Sequence, residues 1–177
     1  MLKIRFYVIE KSILGGIYMF RKMRRLKQQV SQEECKKILK EEKRAAFSVI
    51  GDEGYPYTIP INFYYEEADD TIYFHGAKEG HKMDAVRKCN KVCLTTWNQG
   101  FKKEGHWEWN ATSVVVFGIA EFVTDPEIIE DRLRKLAAKY YPTTEEVEEE
   151  MESSARNRVQ LFAIKIEHMT GKLVNEK

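Results

Sequence analysis

Apolar and polar positions along this chain run first with a helical period and then mostly with a period of two. Ser31 opens a helix. Glu34, three positions on, completes a capping box, and Cys35, Ile38 and Leu39 form one narrow apolar stripe that ends near Arg44. Residues 45–50 then read as a strand, 51–54 as a turn, and 57–65 as a second strand entered through Pro56 and interrupted at Pro60. A turn over 66–70 leads to a third strand, 71–75, and a glycine-bearing loop opens a helix over 82–88. A fourth strand spans 91–97, a polar, aromatic loop 98–110, and a long Val/Phe/Ile-rich fifth strand 112–123. Pro126 after Asp125 marks a helix start, with Ile129, Leu133, Leu136, Ala137 and Tyr140 on one face. Pro142 stops it. Thr143 and Glu146 cap an acidic helix whose glutamate run reads as a solvated face, and 158–167 is a sixth strand, with Gly171 ending the ordered core.

Six strands in mainly antiparallel order, with few helices between them, predict a mainly β fold: a closed or partly closed barrel with peripheral helices. The helix between strands three and four leaves open a parallel crossover. There are no internal repeats and no low-complexity linker, so 19–177 reads as one domain. Residues 1–18 read as a non-native or disordered extension, because fold-like sequence begins at Met19 and Gly15-Gly16 sits where a translated ribosome-binding site would fall.

Composition narrows the classes. The chain has 177 residues, is 43% hydrophobic and 32% charged, and carries a net charge of +1, which gives no general attraction to nucleic acid or anionic membrane. No apolar run approaches the roughly 20 residues that span a bilayer. Three cysteines without a C-x-x-C fit a reducing cytoplasm, and the four histidines are too scattered to suggest a metal centre.

The chemistry concentrates at Tyr73 to Lys82, YFHGAKEGHK. A strand end runs through Gly76 and Gly80 into a helix start, where unpaired N–H groups and the positive end of the dipole favour an anion. Lys78, His81 and Lys82 add positive charge, and a phosphate monoester is the natural guest. The spacing is neither a Walker loop nor a dinucleotide fingerprint, and a solvated basic turn accounts for the same residues.

Several stretches together resemble one family. They are Arg24-Arg25, Gly54-Tyr-Pro-Tyr-x-x-Pro-x-Asn-Phe63, the Tyr73 to Lys82 segment, Asn90-Lys-Val-Cys93, Ser113-Val-Val-Val-Phe-Gly118 and Ile164-Lys-Ile-Glu-x-x-x-Gly-Lys172. In this order they resemble the flavin-binding relatives of pyridoxamine 5'-phosphate oxidase, and among these the nitroimidazole-resistance (Nim) proteins. The resemblance implies a six-stranded antiparallel Greek-key FMN-binding split barrel, a homodimer with flavin at the interface, and a cytoplasmic oxidoreductase. Electrons would pass from NAD(P)H through FMN to a small acceptor, a nitro compound among the candidates.

By the same resemblance Gly76, Ala77, Lys78, Gly80, His81 and Lys82 grip the FMN phosphate. His81 stands where the oxidases carry an arginine. The segment Ile59, Pro60, Ile61, Asn62 and Phe63 borders the ring, with Ile59, Ile61, Phe63 and Tyr73 as apolar cover. His75 is the candidate catalytic residue, as hydrogen-bond donor or proton shuttle, against a packing role at the barrel rim. Trp107 and Trp109, two apart and so on one side of a strand, are candidates to cap the ring, and Ser113 to reach the cofactor. The oxidases' C-terminal Trp and Arg segment is not found, so vitamin B6 oxidation is not expected. The alternatives are an electron carrier without enzymatic activity and a haem-binding barrel with His75 or His106 as axial ligand.

Overall fold

The computed structural model describes residues 20–153 and 158–175, so the expected N-terminal extension lies outside the described residues. Its strands are β1 (Arg44–Ile50), β2 (Pro56–Asn62), β3 (Tyr64–Glu66), β4 (Thr71–Ala77), β5 (Lys91–Trp97), β6 (Phe101–Lys102), β7 (Trp109–Phe122) and β8 (Val159–Asn175). The helices are α1 (Gln32–Glu41), α2 (His81–Lys88), α3 (Pro126–Tyr140) and α4 (Thr144–Glu152). The strands form one sheet in the order β2-β1-β5-β7-β8-β4-β3, with β6 on β7, and each named pairing is antiparallel. Strands β8 and β7 stand between β4 and β5, so α2 joins strands that are not neighbours and the parallel crossover is not formed.

The two ends of this sheet, β2 and β3, are a single run of chain broken only at Phe63. One half pairs with β1 and the other with β4, so the sheet curls back on itself as a split barrel. Two strands more than expected arise from this break and from the short β6, which the polar loop concealed.

Alternation places the core. β1 and β5 share one pattern, with Ala45, Phe47 and Val49 facing Val92, Leu94 and Thr96 inside the barrel. Phe63, Phe74, Val114, Val116, Phe162 and Ile164 complete that interior, each fully buried and each worth about 1.5–3 kcal/mol of hydrophobic transfer. A second cluster lies outside the barrel, where Leu133, Ala137, Val147 and Met151 cover Tyr73, Leu161 and Ala163. This cluster holds α3 and α4 against β4 and β8.

The caps behave as their residue types require. The Asp125 carboxylate accepts from the N–H groups of Glu127 and Ile128, and Thr143 with Glu146 forms a reciprocal box. Gly171 corrects the expectation that it ends the core. It lies inside β8, opposite Val114, and a Cβ there would stand 2.4 Å from Cys35 Sγ and 2.5 Å from Val30 Cγ2. It is small because the α1 region packs against the strand at that point. Among the described residues no helix is long and apolar enough to cross a membrane.

Candidate functional site

β4 ends at Ala77, and the loop after it reaches α2 through Gly80, whose φ of 111° suits glycine and few other residues. No side chain caps α2. The Gly80 carbonyl accepts from the N–H groups of Met83 and Asp84, at 2.9 and 3.2 Å. Met83, Ala85 and Val86 are buried and fix the helix to the barrel. Lys82, on its first turn, folds back over the strand end. Its Nζ lies 5.4 Å from the Phe74 ring and 5.2 Å from the Phe162 ring. A Cβ on Gly76 would stand 2.3 Å from that Nζ, so only glycine leaves the lysine this place.

Lys82 has no acidic partner among the described residues, and burial alone holds its ammonium below the ordinary lysine range. Two ring faces offset part of the lost hydration. A half-buried cation without a counter-ion, beside an uncapped helix start, suits a doubly charged phosphate.

The neighbouring residues divide. The His81 ring stacks on Tyr57 with centroids 4.1 Å apart, and its Nε2 lies 3.5 Å from Asp52 Oδ2. It is therefore held toward the 51–55 turn. Asp52 also accepts from Lys88, which with His81 keeps its carboxyl below the usual range. Ala77, the last residue of β4, and Lys78, the first of the loop, are exposed.

Asn62 and His75 are brought together. They share a recess of about 270 Å³ between the barrel and the α3–α4 pair, walled by Leu133, Leu136, Ala137 and Met151, with Tyr140, Tyr141 and Glu150 around it. His75 keeps an exposed edge, yet its surroundings are dense. Burial pulls its imidazole below the ordinary range, Glu150 opposes that pull and Lys82 adds to it. Ile59 and Pro60 instead line a broader cleft of about 880 Å³ with Arg44, Ala46, Thr58 and Trp97. Ile61 and Phe63 turn their side chains into the barrel core, and the Tyr73 hydroxyl donates to Asp69 at 2.7 Å beneath α3. Of the expected apolar cover, only Ile59 is partly exposed, packed against the edge of the barrel core, and the Phe63 peptide groups are taken by Tyr140.

Trp107 and Trp109 are exposed, at 70% and 48%, but only Trp109 lies in a strand, so the alternation expected to place them on one side does not apply. Ser113 sits half-buried on β7, opposite Trp97 and Lys172. None of these three lines either recess, since β1 and β5 separate β7 from β2.

Sequence reasoning missed three participants. The Tyr140 hydroxyl accepts from the Phe63 N–H at 2.9 Å and donates to the Lys43 carbonyl, which pins the break between β2 and β3. Lys139 donates to the carbonyls of Leu39 and Glu42 at 3.2 and 2.6 Å, over the Phe63 ring, and burial brings its pKa down to about 8. Glu150 enters the recess although its helix reads as solvated. A signal was present for it, since it stands three residues after buried Val147 and one before buried Met151, on the flank of the apolar stripe.

The pyridoxamine 5'-phosphate oxidase family model matches residues 31–173. The chain belongs to this family. Family membership accounts for the split barrel. No curated protein matches the chain. Among solved structures it is similar to a candidate 5-nitroimidazole antibiotic resistance protein of Bacteroides thetaiotaomicron, with 24% identity over 83% of this chain and 87% of that one, TM-score 0.71. A conserved hypothetical protein of Mycobacterium tuberculosis is similar at 16% identity, 85% and 90% coverage and TM-score 0.71. An FAD-binding protein of Mesorhizobium loti follows at 21% identity, 83% and 97% coverage and TM-score 0.61. These likenesses concern the family's fold.

Proposed function

We propose that this member of the family is an FMN-binding oxidoreductase that takes electrons from NAD(P)H and passes them to a small acceptor, nitro compounds included. The observation that carries the reading is the Lys82 ammonium, half-buried over Phe74 and Phe162 with no acidic partner among the described residues. A lysine kept in that state has a charge to give to an anion, and Gly76 and Gly80 keep the approach open. When bound, FMN supplies the hydride chemistry, and the protein supplies position, access and a proton. Lys82 neutralises the phosphate, with the α2 N–H groups beside it. The backbone of Ile59 to Phe63 borders the ring, and Asn62 and His75 hold its far side. His75, lowered by burial toward the neutral form, accepts or returns a proton there.

The assembly we propose is a homodimer. Trp97, Trp109 and Phe117 are each at least 39% exposed and share one face of β5 and β7, an apolar face of the kind a second copy covers. The test is spectroscopic. Protein loaded with FMN is mixed with NADH or NADPH without oxygen, and the yellow colour is expected to bleach and to return on adding a nitro compound. A preparation that binds no FMN, or whose bound flavin never bleaches with either donor, overturns the reading.

A further inference from the structure

The recess between the barrel and the α3–α4 pair does not include Gly76, Gly80 or Lys82, and it has its own chemistry. At about 270 Å³ it falls below the roughly 300–1,000 Å³ typical of drug-sized ligands, so a single substituted ring is the scale it suits. Leu133, Leu136 and Met151 make apolar walls, while Asn62, His75 and Glu150 form a polar corner. The His75 imidazole makes no hydrogen bond or ion pair among the described residues. Glu150 is held by the Tyr141 hydroxyl, which donates to its Oε2 at 3.1 Å. Among the described residues the charged and titratable groups around His75 are Glu150 from α4, Lys82 from α2, Tyr140 at the end of α3 and Tyr141 just after it. Lys82 is turned over Phe74 and Phe162, and among the described residues the one carboxylate on the lining is that of Glu150.

We propose that this recess is a binding site for a small, flat, uncharged or cationic molecule that hydrogen-bonds to His75, and that Glu150 is the residue that excludes anions. Apolar walls take the ring faces, and Asn62 and His75 take a polar substituent. A carboxylate entering the same corner meets the carboxylate of Glu150, and like charges repel. This deepens the flavin reading by giving the class of the acceptor, and it rests on that reading for the acceptor's role only. The binding itself needs no flavin.

The test uses flavin-free protein, with the His75 ring signal followed by NMR during titration with 4-nitrobenzamide and, separately, 4-nitrobenzoate. The amide is expected to move the His75 signal and to bind about tenfold more tightly than the carboxylate. In Glu150→Gln, which keeps an acceptor for Tyr141, that ratio is expected to fall to about twofold or less. The amide's own affinity stays, and the His75 pKa falls. Glu149→Gln, the same charge change one residue away, keeps the wild-type ratio. The proposal is overturned if saturating amide leaves His75 unmoved, if the wild type does not discriminate, or if Glu149→Gln acts as Glu150→Gln does. FMN retention, measured on the same preparations, tells the two readings apart. Loss of discrimination with FMN retained sinks the recess alone, and discrimination without FMN retention sinks the flavin reading alone.

Discussion

The hydroxyl of Tyr140 lies 2.9 Å from the backbone nitrogen of Phe63, the one residue between β2 and β3. At that residue the barrel wall leaves β1 and turns to β4, so its peptide groups lose their ladder partners. Tyr140 accepts from the N–H, donates its hydroxyl hydrogen bond to the Lys43 carbonyl, and has the Phe63 carbonyl at 3.2 Å as a second acceptor. One side chain of α3 thus closes the split.

Removing that hydroxyl leaves a partly buried N–H and a carbonyl unpaired. Tyr140→Phe is expected to lower stability by about 1–3 kcal/mol. Urea unfolding followed by far-UV circular dichroism measures it, and an unchanged midpoint would show that water replaces the hydroxyl without loss.

The lysine over Gly76 gives a thermodynamic cycle. Lys82→Ala is expected to weaken FMN binding about 10- to 100-fold, the range of a lost charge-assisted hydrogen bond, with little change in melting temperature. Gly76→Ala puts a methyl where the ammonium now lies and is expected to act alike, since a flexible lysine end can move aside and the fold survives. In a Lys82→Ala background the Gly76→Ala change should then cost little. Fluorescence titration of FMN onto the four proteins measures the coupling, and additive losses would refute the displacement.

The pH dependence of stability carries the sign of Lys139. Burial lowers its folded pKa to about 8 from 10.5, so between these values the unfolded chain binds more protons than the native one. Its contribution to stability therefore rises with pH from about 8 toward 10.5 and is constant below about 7. Wild type is expected to gain stability relative to Lys139→Met between pH 8 and 10. Denaturation midpoints across that window should converge or cross in that direction, and parallel curves would contradict the assignment.

Gly171→Ala tests the contact of α1 with β8. The added Cβ meets Cys35 Sγ and Val30 Cγ2 at distances real side chains do not tolerate. The expected cost is about 1–3 kcal/mol, read as a lower melting temperature. Cys35→Ala should recover part of it, because the sulfur is the nearer obstacle.

Much of this protein was legible in its residue order. The capping residues Ser31, Asp125 and Thr143 each accept the helix N–H that their chemistry predicts, and strand 91–97 falls where its alternation placed it. The glycines before Lys82 marked the loop that the lysine crosses. These features depend on neighbours a few positions apart, and local spacing is what a sequence displays directly. The strand break at Phe63, the closing hydroxyl of Tyr140 and the facing of His75 by Glu150 join positions 75 or more residues apart. No periodicity encodes such pairs. They exist because the curled sheet carries β4 beneath α3 and α4, and because buried peptide groups at its break need partners that only packing brings near.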